Sequence, residues 1–279
     1  MDDLDALATL LTKSEPSAEA AGRSRGRLQE RMRGRRRSRW LAPGLGLAAA
    51  AAAVAAVLVT GVAAPEGVPA ASGREVLLMA AVSAERTPQG SGTYWHVSRT
   101  MEGRDPTVTE SWTTRDGRRW SKDGPGSPPG VVVPAVASFS LKGAKVDLAY
   151  LEGLPTDPEE LKAGIAALQG DERAMLPSEQ RGDPLLPLIA LISELPAPPK
   201  VRSTAFRLLA EMPGVRSEGT VEGGQKLLIP DEIWPIKLVV DPGTARVTRT
   251  NFLLGGNGSF SFSNGWIAVT TGWTDEPPR

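Results

Sequence analysis

Apolar positions change their spacing several times along the chain, and each change predicts an element. GREVLLMAAVSAERT places Val76, Leu77, Ala80, Ala81 and Ala84 on one stripe, which predicts a helix over about 73–86. After Pro88 and Gly90 the period falls to two. In TYWHVSRTM, Trp95, Val97 and Met101 share one face, and Tyr94, His96, Ser98 and Thr100 share the other. VTESWTTR predicts a second strand with Val108 and Trp112 on a common face. The Asp116-Gly117 turn then leads to a third strand carrying Trp120. Residues 123–145 are rich in Gly and Pro around Val131-Val132-Val133 and read mostly as loop.

Helical spacing returns at Asp157–Gln169, with Thr156 or Asp157 as the cap and Gly170 as the stop. A short helix follows near Leu185–Leu195, bracketed by Pro184 and Pro187. Another covers Lys200–Met212, with Val201, Ala205, Leu208 and Leu209 as its buried stripe, and Pro213-Gly214 ends it. Strands resume at Val215–Val221, Lys226–Ile229, Trp234–Val240, Ala245–Leu254 and Trp266–Thr271, with Asp241-Pro242-Gly243 as a turn. Strands, a helical insertion and strands again predict an α+β domain over 73–279.

The first 72 residues follow a different plan. Leu41–Ala64 reads LAPGLGLAAAAAAVAAVLVTGVAA and carries no charge. Twenty-four helical residues reach about 36 Å, enough for a hydrocarbon core of about 30 Å. Trp40 stands at its start, where an indole favours the interface. Nine arginines and one acid, Glu30, fill 23–39 immediately before it. The apolar run exceeds a signal-peptide core, and Pro65 would hinder cleavage after Ala64, so the span is read as retained. Arginines on one border place 1–40 in the cytoplasm, 65–72 as an external linker and 73–279 outside the cell membrane. Leu4, Leu7, Ala8 and Leu11 give the cytoplasmic segment 1–40 a helical apolar face that would suit a cytosolic protein partner.

Composition removes whole classes of chemistry. The 279 residues include no cysteine and one histidine, with 32 basic and 32 acidic side chains. Disulfides, thiolate metal sites and iron–sulfur clusters are excluded, as are sites needing two histidines. The neutral total conceals an excess of four basic groups in 1–40, balanced by four acids in 65–279. No nucleophile-elbow, phosphate-loop, dinucleotide-binding, zinc-protease or calcium-loop motif occurs. His96, between Trp95 and Val97, reads as a strand residue. Asp157, Glu159 and Glu160 fit the dipole of a helix start. The chain therefore reads as a non-enzyme, with no catalytic residue, cofactor or metal. The arginine run comes without aromatic interleaving or a binding fold, so no nucleic-acid partner is expected. Its expected contact is with membrane lipid headgroups.

GTYWHV, the helix end LLAEMPGV, the turn VVDPGTARV and the closing AVTTGWTDEPP resemble a family of actinobacterial single-pass membrane proteins of unknown function. That family supplies no catalytic or ligand residues. The outer domain is more distantly similar to the lipoprotein-carrier-like fold of LolA and RseB. This resemblance implies a curved antiparallel sheet, an open half-barrel wrapped around a helical insertion, with an apolar concavity for acyl chains. Under that resemblance, Trp95, Val97, Trp112 and Trp120 form the sheet side of a groove for a lipid, a lipoprotein acyl chain or a protein. The alternative is a regulatory membrane protein, like the sigma-factor regulators, that senses envelope state and contacts a transcription factor through 1–40. An enzyme is the residual reading.

Overall fold

The computed structural model describes residues 71–124, 127–135 and 139–279. The cytoplasmic segment 1–40, the span 41–64 and all but the last two residues of the linker 65–72 lie outside the described residues. No helix among those described is long and apolar enough to cross a membrane.

Helix α1 spans Gly73–Arg86, and its start is held by a reciprocal cap. The Glu75 amide donates to the Ser72 hydroxyl at 3.2 Å, and the Ser72 amide donates to the Glu75 carboxylate at 2.7 Å. Those hydrogen bonds, the backbone one first, pull the Glu75 carboxyl below its ordinary value. All five residues of the expected stripe are fully buried.

Among the described residues, eleven strands follow the helix. They are β1 Tyr94–Met101, β2 Thr107–Thr114, β3 Arg119–Lys122, β4 Val132–Ala135, β5 Phe139–Leu141, β6 Ala144–Val146, β7 Arg216–Val221, β8 Gly224–Ile229, β9 Ile236–Asp241, β10 Arg246–Leu254 and β11 Phe260–Thr274. Nine of them form one curved antiparallel sheet in the order β4-β3-β2-β1-β11-β10-β9-β8-β7. Two meanders from opposite ends of the domain meet where β1 pairs with β11, from Tyr94–Thr274 to Met101–Ile267. Register shifts interrupt β10 between Val247 and Arg249 and again between Thr250 and Phe252, and a third lies in β7. Such bulges bend a strand and sharpen its twist, which curves the sheet toward the helices.

The insertion between the meanders holds the β5–β6 hairpin and helices α2 Leu148–Glu152, α3 Pro158–Ala167, α4 Pro177–Gln180, α5 Leu185–Ser193 and α6 Pro199–Glu211. Helices α1, α5 and α6 pack on the concave face against Leu227, Ile229, Ile236, Leu238, Val240 and Phe252, all fully buried. The alanines of α1 let α6 approach closely, and Phe206 of α6 fills the centre.

One expectation is refined and one corrected. Residues 123–145, read as mostly loop, also hold the short strands β4, β5 and the start of β6. Strand β4 contains Pro134, which is tolerated because β4 is the sheet edge. The β5–β6 turn is Lys142-Gly143, with φ of 49° and 67°. It supplies the two positive φ values of a tight hairpin without an Asn-Gly signature. Gly170 does not stop α3, which ends at Ala167 with Leu168 as its cap. Gly170 instead lies against that hairpin, where an added Cβ would sit 2.1 Å from the Lys142 carbonyl oxygen.

Candidate functional site

Register decides which tryptophans can meet. On antiparallel strands, directly paired residues project to the same face. Trp95 pairs with Thr113, and Thr113 with Arg119, whereas Trp112 pairs with both His96 and Trp120. Trp95 and Val97 therefore face the helices, and Trp112 and Trp120 face away from them. The expectation of one aromatic face carrying all three tryptophans is corrected, and the four residues of the expected groove divide two and two across the sheet. The five residues 102–106 between Met101 and Thr107 set this register. One residue more or fewer would have put Trp95 and Trp112 on the same face.

On the concave face, Trp95 lies edge-to-face on Trp273 of β11, with ring centroids 5.5 Å apart. Its indole N–H donates to the Glu194 carbonyl at 2.7 Å, which ties β1 to the end of α5. Both indoles line a partly open cavity of about 220 Å³ at the α5–α6 connection, where Ile192, Leu195, Ala197 and Val247 stand beside polar Gln89 and Thr244. The Nε1 of Trp273 is buried with no hydrogen-bond partner among the described residues. The Arg115 guanidinium covers the Trp273 ring at 4.3 Å. Arg202 and Arg246 stand at the cavity, and Arg202 also donates to the Ala245 carbonyl. Burial, followed by the charge of Arg246, pulls Arg202 down to about 10. At neutral pH Arg202 remains a cation, so the cavity combines aromatic and aliphatic walls with two positive charges.

Further along the same face lies a buried charge cluster. Arg99 donates to the Glu194 carboxylate through Nε at 3.0 Å and through a second N–H. Glu194 Oε1 is buried without a hydrogen-bond partner among the described residues. Val97 packs here, beside Arg119, Ser111 and Thr113, around a gap of about 20 Å³. Burial, then the charge of Arg99, lowers Arg119 to about 10, and Glu194 opposes both.

The convex face has another character. The ring of His96 stacks on Trp112 at 4.9 Å, and its Nε2 lies 3.0 Å from the Glu110 carboxylate. Tyr94 meets Trp120 edge-on at 6.1 Å. The C-terminal residues Glu276, Pro277 and Arg279 border the hollow of about 230 Å³ over His96 and Trp112. Trp112 is 5 % exposed, so it packs as core on this side of the sheet.

No family model, curated protein or solved structure matches the chain. The site is therefore defined by its own geometry.

No group of three or more His, Asp and Glu among the described residues could hold a metal ion. Sequence reading had not identified Trp273, Glu194, Arg202 or Arg246 as site residues. Trp273 had a legible signal, because Ile267, Val269, Thr271 and Trp273 continue one period-two face of β11. Arg202 and Arg246 lie on a helix and a strand 44 positions apart and carried none.

Proposed function

We propose that this is a membrane-tethered binding protein of the cell envelope, not an enzyme. Residues 1–40 lie in the cytoplasm, 41–64 span the membrane, and the outer domain takes an apolar ligand in the manner of lipoprotein-carrier-like domains. The observation that carries the reading is the cavity walled by Trp95 and Trp273 with Arg202 and Arg246 beside it. Its volume of about 220 Å³ is below the ~300–1,000 Å³ of sites that enclose a whole drug-sized molecule. A cavity of this size takes only a short stretch of one apolar tail and leaves the head outside. Two arginines at the cavity select a head that is an acid, a carboxylate or a phosphate. The curved sheet with helices on its concave face is the scaffold such a carrier uses.

Native mass spectrometry of the full-length protein, extracted from cell membranes in mild detergent, tests the ligand. The expected spectrum shows a bound lipid or fatty acid that is lost in Ala197→Leu, whose three added carbons obstruct the cavity. Protein that is always empty, or a variant that loads equally well, overturns the reading. A C-terminal reporter tests the topology independently, because activity in the cytoplasm refutes the external placement.

A further inference from the structure

The loop Pro230–Pro235 between β8 and β9 carries the largest paired apolar exposure of the described residues. Ile233 is 53 % and Trp234 39 % exposed, side by side at its tip. The Asp231 carboxylate accepts from the Ile233 amide at 3.2 Å and from the Trp234 amide at 3.5 Å, which presents the two side chains together. Exposed apolar residues scattered singly need no explanation, but an adjacent exposed Ile-Trp pair in one loop does.

The position of this loop identifies its partner. Gly73, the first residue of α1, touches the start of β7, where an added Cβ would lie 2.8 Å from the Arg216 backbone. Gly214, in the preceding turn, touches the loop itself, with Pro230 2.8 Å from its Cβ position. Arg216 pairs with Leu228 just before the loop. The point where the chain enters the domain and the Ile233-Trp234 tip thus share one end. The Trp95–Trp273 cavity lies at the opposite end, beside Thr87–Gly90 after α1. Fourteen helical residues separate these ends by about 21 Å.

Eight residues, 65–72, connect the end of the apolar run at Ala64 to Gly73. However they are arranged, they reach at most about 28 Å. We propose that Ile233 and Trp234 insert into the outer leaflet of the bilayer that residues 41–64 span, and so fix the outer domain upright on the membrane. The proposal rests on the membrane-tether reading and extends it to the orientation of the domain. An indole flanked by an aliphatic side chain is the pair that the headgroup boundary favours. The local charge permits the approach. Glu232 is paired with Arg181, and exposed Arg74 and Arg216 at the same end attract anionic headgroups against Glu75 and Asp231. A short tether raises the local concentration of membrane so far that a weak interfacial preference suffices. In this orientation the cavity lies at the end of the domain away from the lipid.

The chain has no native cysteine, so single labels are clean. The full-length protein carries an environment-sensitive fluorophore at Ile233→Cys, or at Trp234→Cys as a second tip position. The control label is at exposed Lys200→Cys, the far end of α6. Each is reconstituted in vesicles of phosphatidylcholine and phosphatidylglycerol. The tip labels are expected to brighten at least about twofold, shift to the blue and be quenched by lipids spin-labelled near the headgroup, while the Lys200→Cys label stays aqueous. Tip labels that stay aqueous on protein retained by carbonate-washed vesicles overturn the insertion and leave the tether intact. A blue shift without lipid quenching means contact with protein and also overturns it. Protein that does not remain with the vesicles overturns the tether and the insertion together.

Discussion

His96 lies flat on Trp112 across the β1–β2 pair, 21° between planes, and this contact marks the side of the sheet that faces away from the Trp95–Trp273 cavity. Trp95, the next residue before His96, points through to the other side. The two faces can therefore be separated by mutation. Trp120→Ala is expected to leave ligand loading unchanged and to cost about 1 kcal/mol, because Trp120 is only partly buried. Trp95→Ala removes a cavity wall and the 2.7 Å hydrogen bond to Glu194 and is expected to abolish loading. Trp95→Phe keeps the wall and loses only the hydrogen bond, so it should load at reduced occupancy. Mass spectrometry of the three variants beside urea denaturation separates ligand loss from unfolding.

Glu179 makes the fold sensitive to pH. Burial raises its carboxyl to about 7, against the Leu176 amide and Lys142, which favour the charged form. Between its ordinary value of 4.5 and about 7, the folded protein holds a proton that the unfolded chain releases. The group therefore costs stability progressively as pH rises through that window, up to roughly 3 kcal/mol above it. Glu179→Gln keeps an acceptor for Leu176 and removes the titration. The variant is expected to match the wild type near pH 5 and to exceed it by about 2 kcal/mol at pH 8 in urea denaturation. A constant difference across that range refutes the assignment.

Local chemistry was legible where it acts over a few residues. The alanine stripe of α1, the Asp157 cap and the Asp241 turn each appear in the structure where the sequence placed them. The first three strands also stand where period-two alternation put them. The β5–β6 hairpin was not legible, because three-residue strands carry no measurable period and Lys142-Gly143 is a rare turn pair. The face of each tryptophan depended on a loop five residues long, a quantity that alternation within a strand does not contain. Arg99 and Glu194 lie 95 positions apart, and only the folded packing of α5 on β1 brings them together.

That Arg99–Glu194 pair gives a sharp energetic test. Glu194 is 2 % exposed and Arg99 8 %, so neither can recover water when its partner is lost. Arg99→Leu should cost about 3–5 kcal/mol, because it leaves a buried carboxylate uncompensated except by Arg119. Arg99→Leu with Glu194→Leu removes both charges and should cost clearly less than the sum of the single changes. Additivity in the double-mutant cycle would mean that the two groups do not hold one another.

The arginines at the cavity predict a preference among ligands that can be read independently of stability. Arg246 is exposed, so its attraction for an acidic head is screened, and Arg246→Gln should weaken fatty-acid binding by at most about fivefold. Arg202 is half-buried beside the cavity, so its charge acts through a poorer dielectric, and Arg202→Gln should weaken binding by at least about tenfold. Arg202→Gln also loses the hydrogen bond to Ala245 and is expected to lower stability, which confuses affinity alone. The decisive measurement is the ratio of affinities for a fatty acid and for the alcohol of the same chain length. Loss of folded protein weakens both equally, whereas loss of the cation weakens only the acid. An unchanged ratio in Arg202→Gln would show that the arginine supports the cavity wall and does not read the head of the ligand.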